Sequence, residues 1–297
     1  MKNKLICAAM LAVLLAFSGC SINNAESSSA AGDAQVSSAE AEESVSEADT
    51  PDSAPAESSV ITLSGSTAEI GSGAKGVTVE GGTVTITAAG DYTFTGTLDD
   101  GQILVNAPKT DKVDIYLNNV TVHNGSSAAL RVEQADGVTL HLVEGTVNSF
   151  TDTASNALSA CISAKDDITI KGKGTLNVTG VAKHAIKSSN DVKIKNGVLN
   201  IAAASAGIYG EDKVQLTGGT ITITSCKDGI KSVNETEAGK GIVTSENAVV
   251  DIQNAKGNGI EATTSVTVTT GSIKIHSIKQ AINCPTQTLA EGAVVKY

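Results

Sequence analysis

Lys187, Tyr209, Lys231 and Glu261 each follow an isoleucine by one residue. Those isoleucines belong to a series, Ile162, Ile186, Ile208, Ile230, Ile260 and Ile282, with steps of 24, 22, 22, 30 and 22 residues. The position after the isoleucine reads Ser163, Lys187, Tyr209, Lys231, Glu261 and Asn283, and two before it stand Ala160, His184, Ala206, Asp228, Asn258 and Gln280. Stacked coil on coil at about 4.8 Å, such rows touch and make a flat polar surface. Both rows are expected to face solvent. Ammonium and amide groups on such a surface hold carboxylates and hydroxyls, the chemistry of an extended sugar polymer, with His184, Lys187, Tyr209, Lys231 and Glu261 as the candidate contacts. The plainer alternative is a polar ladder kept for solubility.

A second set consists of acids a few residues further on: Asp166-Asp167, Asn190-Asp191 and Glu211-Asp212. Clustered oxygens suit a hard cation such as calcium, and stacked carboxylates without one repel. An Asp at a bend also caps backbone amides, which needs no metal. The 30-residue step holds a third feature, eight extra residues within the stretch Asp228–Gly241, where Asp228, Asn234, Glu235 and Glu237 lie beside Lys231 and Lys240. A loop calcium site and an acidic exposed loop both fit. The chain shows no nucleophile elbow, zinc-protease motif, phosphate loop or dinucleotide fingerprint.

Strands must carry these rows. Alternating segments such as Ile168-Thr-Ile170, Val192-Lys-Ile194 and Val214-Gln-Leu216 follow the isoleucines, then a Gly-containing turn, then a second alternating segment such as Leu176-Asn-Val178 or Ile221-Thr-Ile223. Three short strands per 22-residue period predict an all-β, right-handed parallel β-helix in which each coil needs its neighbours to bury its apolar face. A β-sandwich is the rival, and it does not demand so constant a spacing. Looser coils are expected upstream through Thr83–Ile86, Tyr92–Phe94, Ile103–Val105, Val113–Leu117, Val120–Val122, Ala129–Val132 and Val138–Leu142, with the aromatics closing that end.

The chain has 297 residues, 29 Gly, no Trp and 2% aromatics, a β composition rich in tight bends. Nine acids and no Lys or Arg lie between Ser21 and Ser58, so nine of the eleven net negative charges sit there. The remainder is mildly acidic and its only arginine is Arg131, which excludes a basic nucleic-acid binder. Lys2 and Lys4, the apolar run Leu5–Phe17 and then Ser18-Gly19-Cys20 describe a lipoprotein signal peptide over 1–19, with Cys20 lipidated as the membrane anchor. A Ser/Ala/Glu tether over 20–59 cannot bury enough apolar surface to order itself. The β-helix is expected over 60–297, outside the cytoplasm and monomeric. Cys161, Cys226 and Cys284 are read as small hydrophobes.

In combination, Gly101-Gln-Ile103, Glu144–Asn148 with Thr151-Asp152, Ser163–Asp167 with Gly172-Lys-Gly174, Lys183–Ser188 and Asp228–Ser232 with its insertion resemble the secreted bacterial carbohydrate-binding-domain proteins. These are β-helical and similar to pectate-lyase-like polysaccharide lyases. The resemblance runs from about Gly96 to the end. It implies binding of a cellulose-like or pectin-like acidic polysaccharide with bound calcium. The family acids fall on Asp152, Asp167, Asp191 and Asp228; with Asp212, Asn234 and Glu235 they form the expected ligand set. The chain departs from the family where Asp-Gly-Ile becomes Ala206-Gly-Ile208 and Asn258-Gly-Ile260. Lyases of this shape use Arg or Lys as base. Arg131 is expected outside the regular stack, which leaves Lys183, Lys187 or Lys231, and Lys231 near Asp228 is the best placed. The leading reading is non-catalytic, calcium-stabilised glycan binding; a calcium-dependent lyase and an adhesin or envelope scaffold are the alternatives.

Overall fold

The structure, a computed structural model, describes residues 60–291 and 293–296. The signal peptide, the tether and Cys20 lie outside the described residues. What it describes is the expected parallel β-helix. Each coil lays down three strands, as in Ala160–Ala164, Ile168–Gly172 and Thr175–Gly180. The next coil repeats them as His184–Ser188, Asp191–Ile194 and Val198–Ala203. The first strands of successive coils pair in a ten-stranded sheet, here the first face. The second and third strands stack likewise into two further faces. Near the N-terminal end these two faces join, because Lys112–Asn124 is one 13-residue strand that turns the corner. Its first half pairs with Gly137–Leu142 and its second half with Val147–Asp152.

Two antiparallel pairings break the parallel pattern, and neither was expected. Val60–Gly65 pairs with Thr67–Ile70, and Val77–Glu80 with Thr83–Ile86. Both lie at the N-terminal end, where each hairpin gives the outermost coil strand a partner from its own chain and so covers a sheet edge. Tyr92, Phe94 and Phe150 are buried in the core of that half, in the packing role expected of them. All upstream strands expected from alternation form, and all pair in parallel from Gln102–Asn106 onward.

The interior is a set of aligned aliphatic ladders. Ile162, Ile186, Ile208, Ile230 and Ile260 are each 0% exposed and register one over the next. On the third face Val178, Ile201, Ile223, Ile252 and Ile275 form the matching ladder. The bend between second and third faces is made by Gly197, Gly219 and Gly271, at φ of 96°, 86° and 96°, where a Cβ is strained. In the coil carrying the insertion Ala248 fills that register, and the left-handed residue is Asn247 just before it, at φ 54°.

The insertion behaves as expected. The first-face strand ends at Ser232 and the second-face strand begins at Ile242, with no strand between. The loop is tied on both sides. Asn234 donates from Nδ2 to Asp212 Oδ1 at 2.7 Å, in the coil before. Thr263, in the coil after, accepts from Asn234 N at 3.2 Å and donates to Asn234 O at 3.0 Å.

Candidate functional site

The row one residue after each isoleucine is realised as expected. Ser163 pairs with Lys187, Lys187 with Tyr209, Tyr209 with Lys231, Lys231 with Glu261 and Glu261 with Asn283. All are partly or fully exposed. Arg131, expected outside the stack, joins the row instead, because Leu130–Gln134 pairs in register with Ala160–Ala164; Leu104 continues the register upstream. The 32 residues from Leu130 to Ile162 hide that register from a 22-residue period.

The row two before the isoleucine, expected to face solvent, is buried from Ala160 to Asn258 and reaches solvent at Gln280 in the last coil. His184 is 6% exposed, Asp228 3% and Asn258 8%. Burial here is not inward packing: the residue between, Cys161, Ala185 or Gly229, is the one that faces the core, while the His184 ring stacks against Tyr209 of the solvent row, so the row two before lies covered at the corner where it meets the main chain of the next coil. Its polar side chains serve the backbone at the corner. His184 Nδ1 accepts from Ala206 N at 3.1 Å, Asp228 Oδ1 from Asn258 N at 2.9 Å, and Asn258 Oδ1 from Gln280 N at 3.4 Å. Where the row holds alanine, a backbone carbonyl replaces the side chain: Ser159 O accepts from His184 N, and Ser205 O from Asp228 N. Each coil thus caps one amide of the next, which satisfies groups that burial otherwise leaves costly. To accept that bond the His184 ring must be neutral. Burial first, then Lys183, Lys187 and Lys231, lower its pKa to about 3.

Charges on the solvent row are already matched to one another. Lys231 Nζ lies 3.2 Å from Glu261 Oε2, not paired with Asp228 as expected, since Asp228 is buried and holds Asn258 N. Lys187 Nζ stands 5.5 Å from the centre of the Tyr209 ring, and the His184 ring stacks beside that ring at 5.2 Å. Tyr209 Oη donates to Val233 O at 3.3 Å, at the base of the insertion. Burial, then Glu211, Glu235 and Glu261, push the Tyr209 phenol up. Arg131, Glu133 and Lys165 form an ion-paired trio at the other end.

The structure disperses the expected calcium ligands. Asp167, Asn190, Asp191 and Asp212 line one recess of about 430 Å³ at the corner between first and second faces, together with Lys213 and Lys240. The acid rows are offset by one residue from the expected alignment. Successive coils here step by 22, so Lys213 pairs with Asp191, and Asp212 donates its N–H to Asn190 O. A lysine therefore interrupts the carboxylate row. Asp212 is committed: Oδ1 accepts from Asn234 and Oδ2 lies 2.7 Å from Lys240 Nζ. Asp167 Oδ1 accepts from Asp191 N at 3.2 Å. Burial, and then Asp167, raise the Asp191 carboxyl. Asp152 lies elsewhere, capping the third-to-first-face bend through Val181 N, Ala182 N and Asn156 Nδ2. Asn234 Oδ1 accepts from Thr236 N and Glu237 N, and Glu235 is exposed on the loop. Among the described residues no group of three or more His, Cys, Asp or Glu stands close enough to hold a metal ion by itself.

One cluster escaped the sequence reading. His141 Nε2 lies 2.7 Å from Asp114 Oδ1, and its ring stacks on Tyr116 at 4.1 Å. His141 is 3% exposed, and the hydrogen bond to it is the main cause that lowers the Asp114 carboxyl. These side chains rise from consecutive coils of the second face, where Tyr116 registers with His141, 25 residues on, and Asp114 stands 27 residues before His141. Alternation in Val138-Thr-Leu-His-Leu142 already marked His141 as outward; only the unseen register could have set it against Asp114 and Tyr116.

Comparison with known proteins places this geometry. Residues 80–293 match the family described as carbohydrate-binding domain-containing protein. A carbohydrate-binding domain-containing protein of Acetivibrio thermocellus is 33% identical over 230 residues, 74% of this chain and 80% of that one. The structure of the polysaccharide lyase-like protein from C. thermocellum, a gadolinium derivative, has a TM-score of 0.76 and 32% sequence identity, covering 80% of this chain and 99% of that chain. On the extent of these matches and the coil they share, this chain belongs to the family of carbohydrate-binding domain-containing proteins.

Proposed function

We propose that this protein binds a polysaccharide without cleaving it, along the solvent row of the first face. The observation that carries this reading is the unbroken register from Arg131 through Ser163, Lys187, Tyr209, Lys231 and Glu261 to Asn283. A straight row of cations, a ring, a carboxylate and an amide at about 4.8 Å intervals suits an extended acidic glycan lying along it. Lys231 is engaged as a donor to Glu261, a use opposed to proton abstraction. The proposed setting is extracytoplasmic, with Cys20 carrying the lipid.

Retention of the purified chain on insoluble cellulose or pectin tests the reading. The expected result is retention that falls about tenfold or more in the Lys187→Ala, Lys231→Ala double variant, the sum of two charge-assisted contacts. No retention on any glycan favours the scaffold reading. The lyase-like description of the solved relative keeps a second reading in play. Polygalacturonate incubated with the protein is expected to yield no absorbance from unsaturated product; a Lys231-dependent signal would establish a lyase.

Calcium belongs to the same proposal at the corner recess. Asp167 and Asp191 are the carboxylates with oxygens to offer there, and a cation would relieve their mutual repulsion. They supply fewer than the six to eight oxygens calcium takes, so water must complete the shell. Millimolar calcium is expected to raise Tm by about 2–4 °C, and Asp191→Asn to abolish the rise. An unchanged Tm in calcium would remove the ion from the proposal.

A further inference from the structure

The second face carries a recess that the solvent row of the first face does not use. It has a volume of about 250 Å³, room for one sugar ring. Three coils build it. Gln215, Thr244 and Thr267 stack in register, so three hydrogen-bonding tips stand in line. Thr217 and Thr269 continue the wall toward the corner, with Leu216 as the apolar part of the lining. Lys213 and Glu246 bring one charge of each sign.

One hydroxyl on the outward face of this lining lacks a partner. Thr244 Oγ1 is buried and meets no hydrogen-bond donor or acceptor of the protein; Ser245, between Leu216 and Val268 in register, lies on the inward side of the strand. Ser245 is 2% exposed. Buried hydroxyls are normally paired, and an orphan in the middle of the in-register row marks a group left for something that enters the recess. The chemistry of the wall narrows what that is. Threonine hydroxyls and a glutamine amide both donate and accept, as sugar hydroxyls do. Opposite single charges leave no net field for a phosphate or a metal ion.

We infer that this recess is a glycan subsite that seats one pyranose unit through its hydroxyls, on a different face from the row proposed above. The inference rests on the glycan-binding reading and extends it: the coil presents two sugar-binding surfaces. Lys193 registers directly beside Gln215 in the preceding coil, where it can meet the carboxylate of an adjoining uronate unit. Trigalacturonate is therefore expected to bind more tightly than cellotriose.

Hydrogen exchange on the full chain, with and without each of these two trisaccharides, tests the inference without any variant. Protection concentrated at residues 213–217, 244–246 and 267–269 is the expected result. Calorimetric titration of Thr244→Val and of the plugging variant Thr267→Tyr should then show affinity reduced about tenfold or more, with Tm unchanged. Protection confined to the first face would overturn the second subsite and leave the first-face reading intact. Protection nowhere with either probe would also overturn it, and retention on insoluble glycan then decides the first-face reading separately.

Discussion

Gly229→Val is expected to destabilise the coil by about 3 kcal/mol or more, a fall in Tm of roughly 6–12 °C. Gly229 precedes the ladder residue Ile230 and faces the third-face ladder. A Cβ built there lies 2.4 Å from Gly259 O and 2.6 Å from Ile252 Cδ1. The oxygen is the less forgiving of the two, because Gly259 O accepts the coil-to-coil bond from Ile230 N at 2.9 Å. Gly207 is less confined: its nearest contact is Gly229 O at 2.9 Å. Gly207→Ala should therefore cost less than Gly229→Ala. The position also shows volume exchange between faces. Where it holds Cys161, the third-face ladder holds the smaller Val178; where it holds Gly229, the ladder holds Ile252. Ile252→Val combined with Gly229→Ala should accordingly recover part of the loss. Thermal unfolding followed by circular dichroism checks the series; a Gly229→Val protein melting within 2 °C of wild type would contradict this packing account.

The second large effect concerns Asp152. Its carboxylate is 1% exposed and serves two bends at once. Oδ1 accepts from Val181 N at 2.5 Å and Ala182 N at 3.4 Å, in the following coil, and Oδ2 accepts from Asn156 Nδ2 at 2.7 Å. Asn156 in turn donates to Ala160 O and accepts from Leu158 N, so one carboxylate orders the whole bend leading into the first face. Asp152→Ala strands those donors, and the expected cost is about 3 kcal/mol. Asp152→Asn keeps an acceptor for Val181 but sets one amide donor against another, and about half that loss is expected. The decisive measurement is Tm with chelator and with calcium. If Asp152 acts by capping, the loss is the same in both; a loss seen only in calcium would return Asp152 to the metal ligands.

The parts of this fold that a reader of the sequence could see are those set by strict repetition. Isoleucine every 22 residues marks the core, and the residue after it marks the surface, because adjacent strand positions point opposite ways. The same rule places the row two before on the inward side, yet three consecutive positions are buried there, with Ala185 or Gly229 facing the core and His184 and Asp228 covered at the corner, which alternation alone does not reveal. Lys213 over Asp191, in place of Asp212, shows how a single residue of misregister changes the chemistry of a corner. Arg131 and the cluster of Asp114, Tyr116 and His141 were beyond reach for another reason. They lie where coil length varies, and coil length fixes which side chains become neighbours. The antiparallel hairpins at Val60–Ile70 and Val77–Ile86 answer the needs of an open end, which a repeat does not encode.

The corner caps carry a consequence for how such a molecule changes over time. Each amide at that corner finds its acceptor in the coil before it, whether from an imidazole, a carboxylate, a carboxamide or, beside alanine, a neighbouring carbonyl. The pitch of the helix is thereby kept by the main chain and its internal supports, independently of what decorates the outside. Mutation can redraw the outward pattern residue by residue while the distance between rungs stays constant. A lineage of such proteins can then drift among targets built on a common repeat length, with the backbone as a fixed ruler and the exposed side chains as its interchangeable markings.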